Sequence, residues 1–193
     1  MRRSACELLA LAALAVGGCM TPHITDPARS ATEQLLISTA ADEAMAQIDL
    51  QALSGRTTFV DATNVEGTDK AYLVGAIAER VNAQGARLVS DKEKAEVVVA
   101  VRTGALSVDR AQILIGIPQL LLPMPFGGTL KSPEVAIFKT ENRRGFAKVG
   151  VHAYEVASGK HLLSIGPVSG LSRYDLRTIL GVTWSATNIP EKK

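Results

Sequence analysis

Three histidines, His23, His152 and His161, are the first residues to weigh as carriers of chemistry. His152 and His161 flank Ser158-Gly159, a two-residue hairpin signal. Such a hairpin sets His161 opposite Val156 and His152 four residues further along the same face, about 13 Å away. Metal-ligating nitrogens lie about 2 Å from their ion, so one ion cannot hold both. They are expected to be structural or surface histidines, with no metal and no cofactor. Nucleophilic chemistry fares no better. Gly170-Leu171-Ser172-Arg173-Tyr174 lacks the second glycine of a serine elbow, which makes Ser172 an ordinary loop residue. Gly67-Thr68-Asp69-Lys70 has neither the spacing nor the following Ser or Thr of a phosphate-cradling loop. Glu33, Asp42 and Glu43 fall on one helix and read as its solvated face. Arg143-Arg144 reads as a charged turn, open to solvent or to a phospholipid or partner contact. Trp184 reads as a core plug. No residue is assigned a catalytic role, and the chain is expected not to be an enzyme.

Composition narrows the remaining classes. The 193 residues are 47% hydrophobic and 21% charged, enough to build one core and close to the globular average. Twenty-one Lys and Arg against nineteen Asp and Glu leave a net charge of +2, with no basic surplus to hold a nucleic-acid backbone. Four Phe, three Tyr and one Trp are too few for a base-stacking platform. Two cysteines make no disulfide framework.

The first of those cysteines, Cys6, falls within an address. Arg2 and Arg3 precede an apolar run of nine residues, Leu8 to Val16. A bilayer-spanning helix needs about 20, so the run fits a signal-peptide core. Val16-Gly17-Gly18-Cys19 closes it and resembles the lipobox of bacterial lipoproteins. The resemblance implies a signal at residues 1–18, cleavage before Cys19, and acylation of that cysteine. Two or more acyl chains anchor stably where one is marginal. Met20 stands where an aspartate retains enterobacterial lipoproteins at the inner membrane, so the resemblance implies the outer membrane. Residues 19–29 carry two prolines and read as a tether whose ten-residue reach is at most about 35 Å.

An α/β (α+β) domain is expected over residues 30–186, followed by a polar tail at 187–193. Ser30-Ala31-Thr32-Glu33 is a capping box that starts a helix running to about Gln47. Leu36, Ala40 and Ala44 share one row of it, and Ile37, Ala41 and Met45 the next. Thr57 to Ala62 reads as a strand. A second helix, capped by Thr68 or Asp69, has Leu73, Ile77 and Val81 as its stripe and ends at Gly85. Leu88-Val89 is a short strand. Val97 to Val101 is apolar without alternation, which predicts a central strand covered on both faces and continuing to about Val108. Glu134–Thr140, Phe146–Val156 and His161–Val168 read as antiparallel strands separated by turns at Glu141–Gly145 and Ser158-Gly159. Leu176 to Trp184 adds a last short strand or helix. The domain is expected to be single and compact. Its mixed, mostly antiparallel sheet carries two helices on one face.

Ile113 to Phe126 stands apart. Ile113, Leu114, Ile115, Ile117, Leu120, Leu121, Leu122, Met124 and Phe126 share fourteen positions with three prolines. Proline excludes a long helix or a central strand, so an apolar loop is expected. Such a loop will not face water. It is read either as a lid on the second sheet face or as an interface, with Ile113, Ile115, Ile117, Leu120, Leu121, Leu122, Met124 and Phe126 as the contact residues.

Several features span residues 50 to 168: Leu53-Ser54-Gly55-Arg56 leading into TTFVD, the helix ending at Gly85, Ala95-Glu96-Val97-Val98-Val99, and Ala157-Ser158-Gly159-Lys160. Their pattern is similar to the small α/β domain of several envelope lipoproteins. Examples are activators of penicillin-binding proteins, the curli-secretion channel lipoprotein and the N-terminal domain of the Tol-system propeller protein, and the pattern is also similar to uncharacterised lipoprotein families of unknown function. The resemblance implies a non-enzymatic, lipid-anchored outer-membrane protein facing the periplasm, an accessory or protein-binding module. Its partners would be the membrane, through the anchor, and another envelope protein or a second copy, with no nucleic acid. The short tether departs from the long reach of the penicillin-binding-protein activators. The alternative is an oligomeric, secretion-channel-like lipoprotein that inserts strands in the outer membrane. Phe146–Val156 is long enough for this, but Lys148, His152 and Glu155 interrupt its lipid face.

Overall fold

The computed structural model describes residues 29–125 and 127–190. The signal segment, Cys19, His23, the tether up to residue 28, Phe126 and the last three residues of the polar tail lie outside the described residues.

Helix α1 (Ala31–Ala46) begins at the capping box. The Ser30 hydroxyl accepts from the Glu33 amide at 3.3 Å, and the Glu33 carboxylate accepts from the Ser30 amide at 3.3 Å. Both apolar rows of α1 are buried. Strand β1 (Thr57–Asn64) leads through a loop to α2 (Lys70–Ala83), whose Leu73, Ile77 and Val81 are buried. Asp69 does not cap α2 with its side chain; it forms an ion pair with Arg29 instead. Strand β2 (Arg87–Leu88) follows, then β3 (Val97–Ile117). A small hairpin, β4 (Leu121–Pro123) and β5 (Thr129–Lys131), connects β3 to β6 (Val135–Glu155). Strands β7 (His161–Ile179) and β8 (Val182–Thr187) complete the chain.

Among the described residues the main sheet has six strands in the order β2-β1-β3-β6-β7-β8. β1 is parallel to both β2 and β3, and the other pairs are antiparallel. The expected mixed, mostly antiparallel sheet with helices on one face is therefore present. Val97, Val99 and Val101 of β3 and Val149, Val151 and Ala153 of β6 pack under α1 and α2 in one cluster. The Val97–Val101 stretch is central, as its unbroken apolar run predicts, and all five of its residues are buried.

Strand length is where the structure departs from expectation. Glu141–Gly145 is not a turn but the middle of a 21-residue strand. β3 is equally long and reaches Ile117. The segment from Ile113 is therefore not an irregular loop. Its first five residues finish β3, Pro118 follows the strand, and Pro123 lies in the small hairpin. Nor is it a lid. Its large side chains stay exposed beyond the helix-covered body, while on the face opposite the helices Val98 and Ala100 are already buried. The Ser158-Gly159 connection is also longer than two residues, since Tyr154 pairs with His161.

Candidate functional site

β3, β6, β7 and β8 continue past the body as a four-stranded arm. β3 contributes Asp109 to Ile117, nine residues or about 30 Å. The register sorts the arm's side chains onto two faces, because opposed residues share a face and neighbours along a strand alternate.

The face on the helix side is mainly polar. Gln112, Glu141, Leu176 and Ser185 form one row across the four strands; Leu114, Lys139, Thr178 and Thr183 form the next. Glu141 is 7% exposed and holds Arg143 at 2.6 Å and Arg110 at 3.0 Å. Lys139 pairs with Glu134 at 2.7 Å. Burial pushes the Glu141 carboxyl up, but the Arg143 hydrogen bond and the two guanidinium charges outweigh it and hold the carboxyl below its ordinary value. A depressed carboxylate stabilises the fold above its unfolded value, near 4.3, and that contribution disappears as pH falls through the folded value. Glu141→Gln is expected to lose about 2 kcal/mol at pH 7. Its melting temperature should also fall less steeply than the parent's between about pH 5 and 3. Parallel pH–melting curves for the two proteins would contradict this.

The opposite face is apolar at the far end and polar toward the body. Ile117 and Val135 pair at the tip. Ile115, Phe138, Ile179 and Val182 form the next row, then Ile113, Thr140, Arg177 and Trp184, then Ala111, Asn142, Asp175 and Ala186. Ile113, Ile115 and Ile117 are each 57–58% exposed, and Val182 is 67% exposed. Nearest the body stand Asp109, Arg144 and Arg173, with Arg144 paired to Asp175 at 3.1 Å. The small hairpin adds exposed Leu120, Leu121, Leu122, Met124 and Leu130. Ser132 stitches its base, donating its amide to the Leu120 carbonyl at 2.8 Å.

The turn between β7 and β8 is Leu180-Gly181, with φ of 48° and 84°. Two left-handed residues make the tight turn that fits a twisted hairpin, a place that asparagine normally takes first. A branched leucine there costs roughly 1–2 kcal/mol. Leu180 is nonetheless 76% exposed. The position spends stability to present an apolar side chain at the arm's end.

The remaining chemistry-bearing residues fall into structural roles. His152 is half-buried and stacks on Tyr154 with ring centroids 6.2 Å apart, and Lys92 lies over that tyrosine ring. Among the described residues no three His, Cys, Asp or Glu come together as metal ligands would. Ser172 is not in a loop: it is a buried β7 residue whose hydroxyl donates to the Leu36 carbonyl at 2.5 Å, fastening α1 to the sheet. Arg143 and Arg144 lie in β6, each ion-paired, and do not form a charged turn. Trp184 is no core plug, being 45% exposed on the arm's apolar face.

The structure thus brings Ile113, Ile115 and Ile117 together on one exposed face and carries Leu120, Leu121, Leu122 and Met124 beyond them; Phe126 is outside the described residues. It adds Val135, Phe138, Ile179, Val182 and Trp184, which sequence reasoning had not joined to them. Their signal was the odd–even alternation of Ala136–Thr140 with Arg177–Ile179 and Val182–Trp184, legible only once the strands are registered. A family model described as "Family of unknown function (DUF6655)" matches residues 13–183. No curated protein matches the chain.

Proposed function

The chain belongs to this DUF6655 family, and we propose that it works as a non-enzymatic lipoprotein of the outer membrane. Cys19 carries the anchor, the body faces the periplasm, and the arm is the binding surface of an accessory module. The observation that carries this reading is the arm itself. Apolar side chains at the 45–76% exposure seen on Trp184, Val182 and Leu180 gain about 1.5 kcal/mol or more apiece when a partner buries them. By contrast, the groove beside α1 and α2, lined by Leu35, Ser38, Asp69 and Tyr72, offers one carboxylate already engaged by Arg29 and no histidine or cysteine. Anchoring is tested by Cys19→Ser. The variant is expected to leave the membrane fraction or to stall in processing; membrane fractionation identical to the parent would remove the anchor from the account.

A second reading is favoured by one specific observation. The outer edges of β3 beyond Arg102 and of β8 have no partner strand among the described residues. β3 and β8 run antiparallel to each other across the arm. The β8 edge of one copy can therefore pair with the β3 edge of the next and keep the up-and-down order. Strands joined in this way, apolar outside and polar inside, would make the inserting oligomer of the secretion-channel type. The lipid-facing stretch would be Ile113–Ile117 and its row partners, not Phe146–Val156. Disulfides between single cysteines at Ala111 and Ala186 of different copies would support this arrangement.

A further inference from the structure

We propose that the occupant of the arm's apolar face is the bilayer that holds Cys19, with that face laid against one leaflet and the polar, helix-side face left in water. The inference rests on the lipoprotein reading and adds where the membrane lies. Three observations carry it.

The first is where the chain joins the body. Arg29 is held by Asp69, in the loop that follows β1 and packs its Gly67 against Leu106 of β3. Leu106 is only three residues before Asp109, where the arm begins. Helix α1 agrees. Gln47 at its end donates to the Ser169 carbonyl, and Leu36, nearer its start, accepts from Ser172. Going back toward the N-terminus, α1 therefore steps along β7 toward the arm. The tether leaves from the arm's root. Ten residues reach at most about 35 Å, and the arm extends about 30 Å. A membrane that holds Cys19 lies within reach of the arm's end.

The second is the grading of the face. The apolar zone runs four residues along β3, from Ile113 to Ile117, about 13 Å, and its Ile115 row crosses all four strands of the arm. Trp184 and Arg177 share the row where the apolar zone ends. An indole and a long cationic side chain are the groups that settle at a headgroup boundary. Above that row stand Asp175, Arg144 and Asp109. Lying flat keeps the open edges of β3 and β8 at headgroup oxygens and water, and leaves the Lys139–Glu134 pair on the other face in water.

The third is Leu180, an exposed leucine held in a left-handed conformation at the arm's end. Water gives no reason to put it there.

Trp184 is the chain's one tryptophan, so its fluorescence reports the arm directly. The test uses the full lipidated protein in vesicles of phosphatidylethanolamine and phosphatidylglycerol. Emission is expected to shift to the blue and to be quenched by lipids brominated along the acyl chain, while quenching by aqueous iodide drops several-fold. Ile115→Lys combined with Val182→Lys changes two exposed positions and should restore iodide quenching without releasing the protein. An attached protein whose Trp184 stays open to iodide overturns the inference and leaves the anchor standing. A blue shift in the Cys19→Ser protein that depends on concentration and needs no vesicles also overturns it, and assigns the face to a second copy. Loss of attachment to native membranes is read separately, by fractionation of Cys19→Ser, and bears on the lipoprotein reading alone.

Discussion

Replacing Val99 with aspartate is expected to unfold the protein or to lower its melting temperature by about 10 °C or more. Val99 is fully buried in β3, between β1 and β6 and under the helices. No cation stands in the apolar cluster around it to pair with a carboxylate. An unpaired charge there belongs to the class of substitutions that remove more than about 4 kcal/mol. Domains of this size hold only 5–15 kcal/mol in total, and each kcal/mol moves the melting temperature by about 2–4 °C. Ile115→Asp, on the same strand, is the control. Ile115 is 57% exposed on the arm, and the body does not pack against it, so its melting temperature should stay within about 2 °C of the parent. Melting curves by far-UV circular dichroism decide both. A Val99→Asp protein as stable as Ile115→Asp would contradict the placement of the core.

The seating of α1 gives the second large effect. A Cβ built on Gly170 would lie 1.9 Å from the Ala40 carbonyl oxygen and 2.6 Å from the Ala44 nitrogen. One built on Gly145 would lie 2.5 Å from the Leu36 carbonyl oxygen. These contacts are with helix backbone, which cannot rotate aside, so α1 must lift from the sheet and break the Ser172 hydrogen bond. Gly170→Ala is expected to cost about 3 kcal/mol, at the upper end of overpacking, and Gly170→Val more. Gly166 lies on the same strand, and a Cβ there meets nothing within 4 Å. Gly166→Ala should be neutral or slightly stabilising, because alanine narrows the unfolded ensemble. Equal melting temperatures for Gly170→Ala and Gly166→Ala would show that α1 does not rest on these glycines.

These glycines also explain what the sequence conveyed and what it concealed. Signals that act within one element were readable. The Ser30–Glu33 capping box, the i+4 rows of α1, the Leu73–Ile77–Val81 stripe and the unbroken Val97–Val101 run each express a local rule, and each holds. Signals that depend on a neighbour are not legible within one element. Glu141-Asn142-Arg143-Arg144-Gly145 has the charge and the glycine of a turn. Yet Glu141 and Arg143 neutralise each other on one face, Arg144 meets Asp175 on the other, and Gly145 is small because α1 crosses it. Prolines misled in a similar way. Pro118 comes one residue after β3 ends and does not shorten it, so an apolar strand looked like an apolar loop. The exposed apolar residues from Ile113 to Met124 are legible from composition alone, but their row partners on β6, β7 and β8 need the register. A lone tryptophan usually belongs to a core; only pairing with Arg177 places Trp184 on the arm.

The central claim is that the arm, not the helix-covered body, makes the protein's contacts in the envelope. It is tested most directly by placing a photo-crosslinking residue, in living cells, at Ile115 or Leu122 on the arm and at Glu79 or Lys160 on the body. The account predicts crosslinks to lipid or protein from the two arm positions and none above background from the two body positions. Products from Glu79 or Lys160, with none from Ile115 and Leu122, would contradict it.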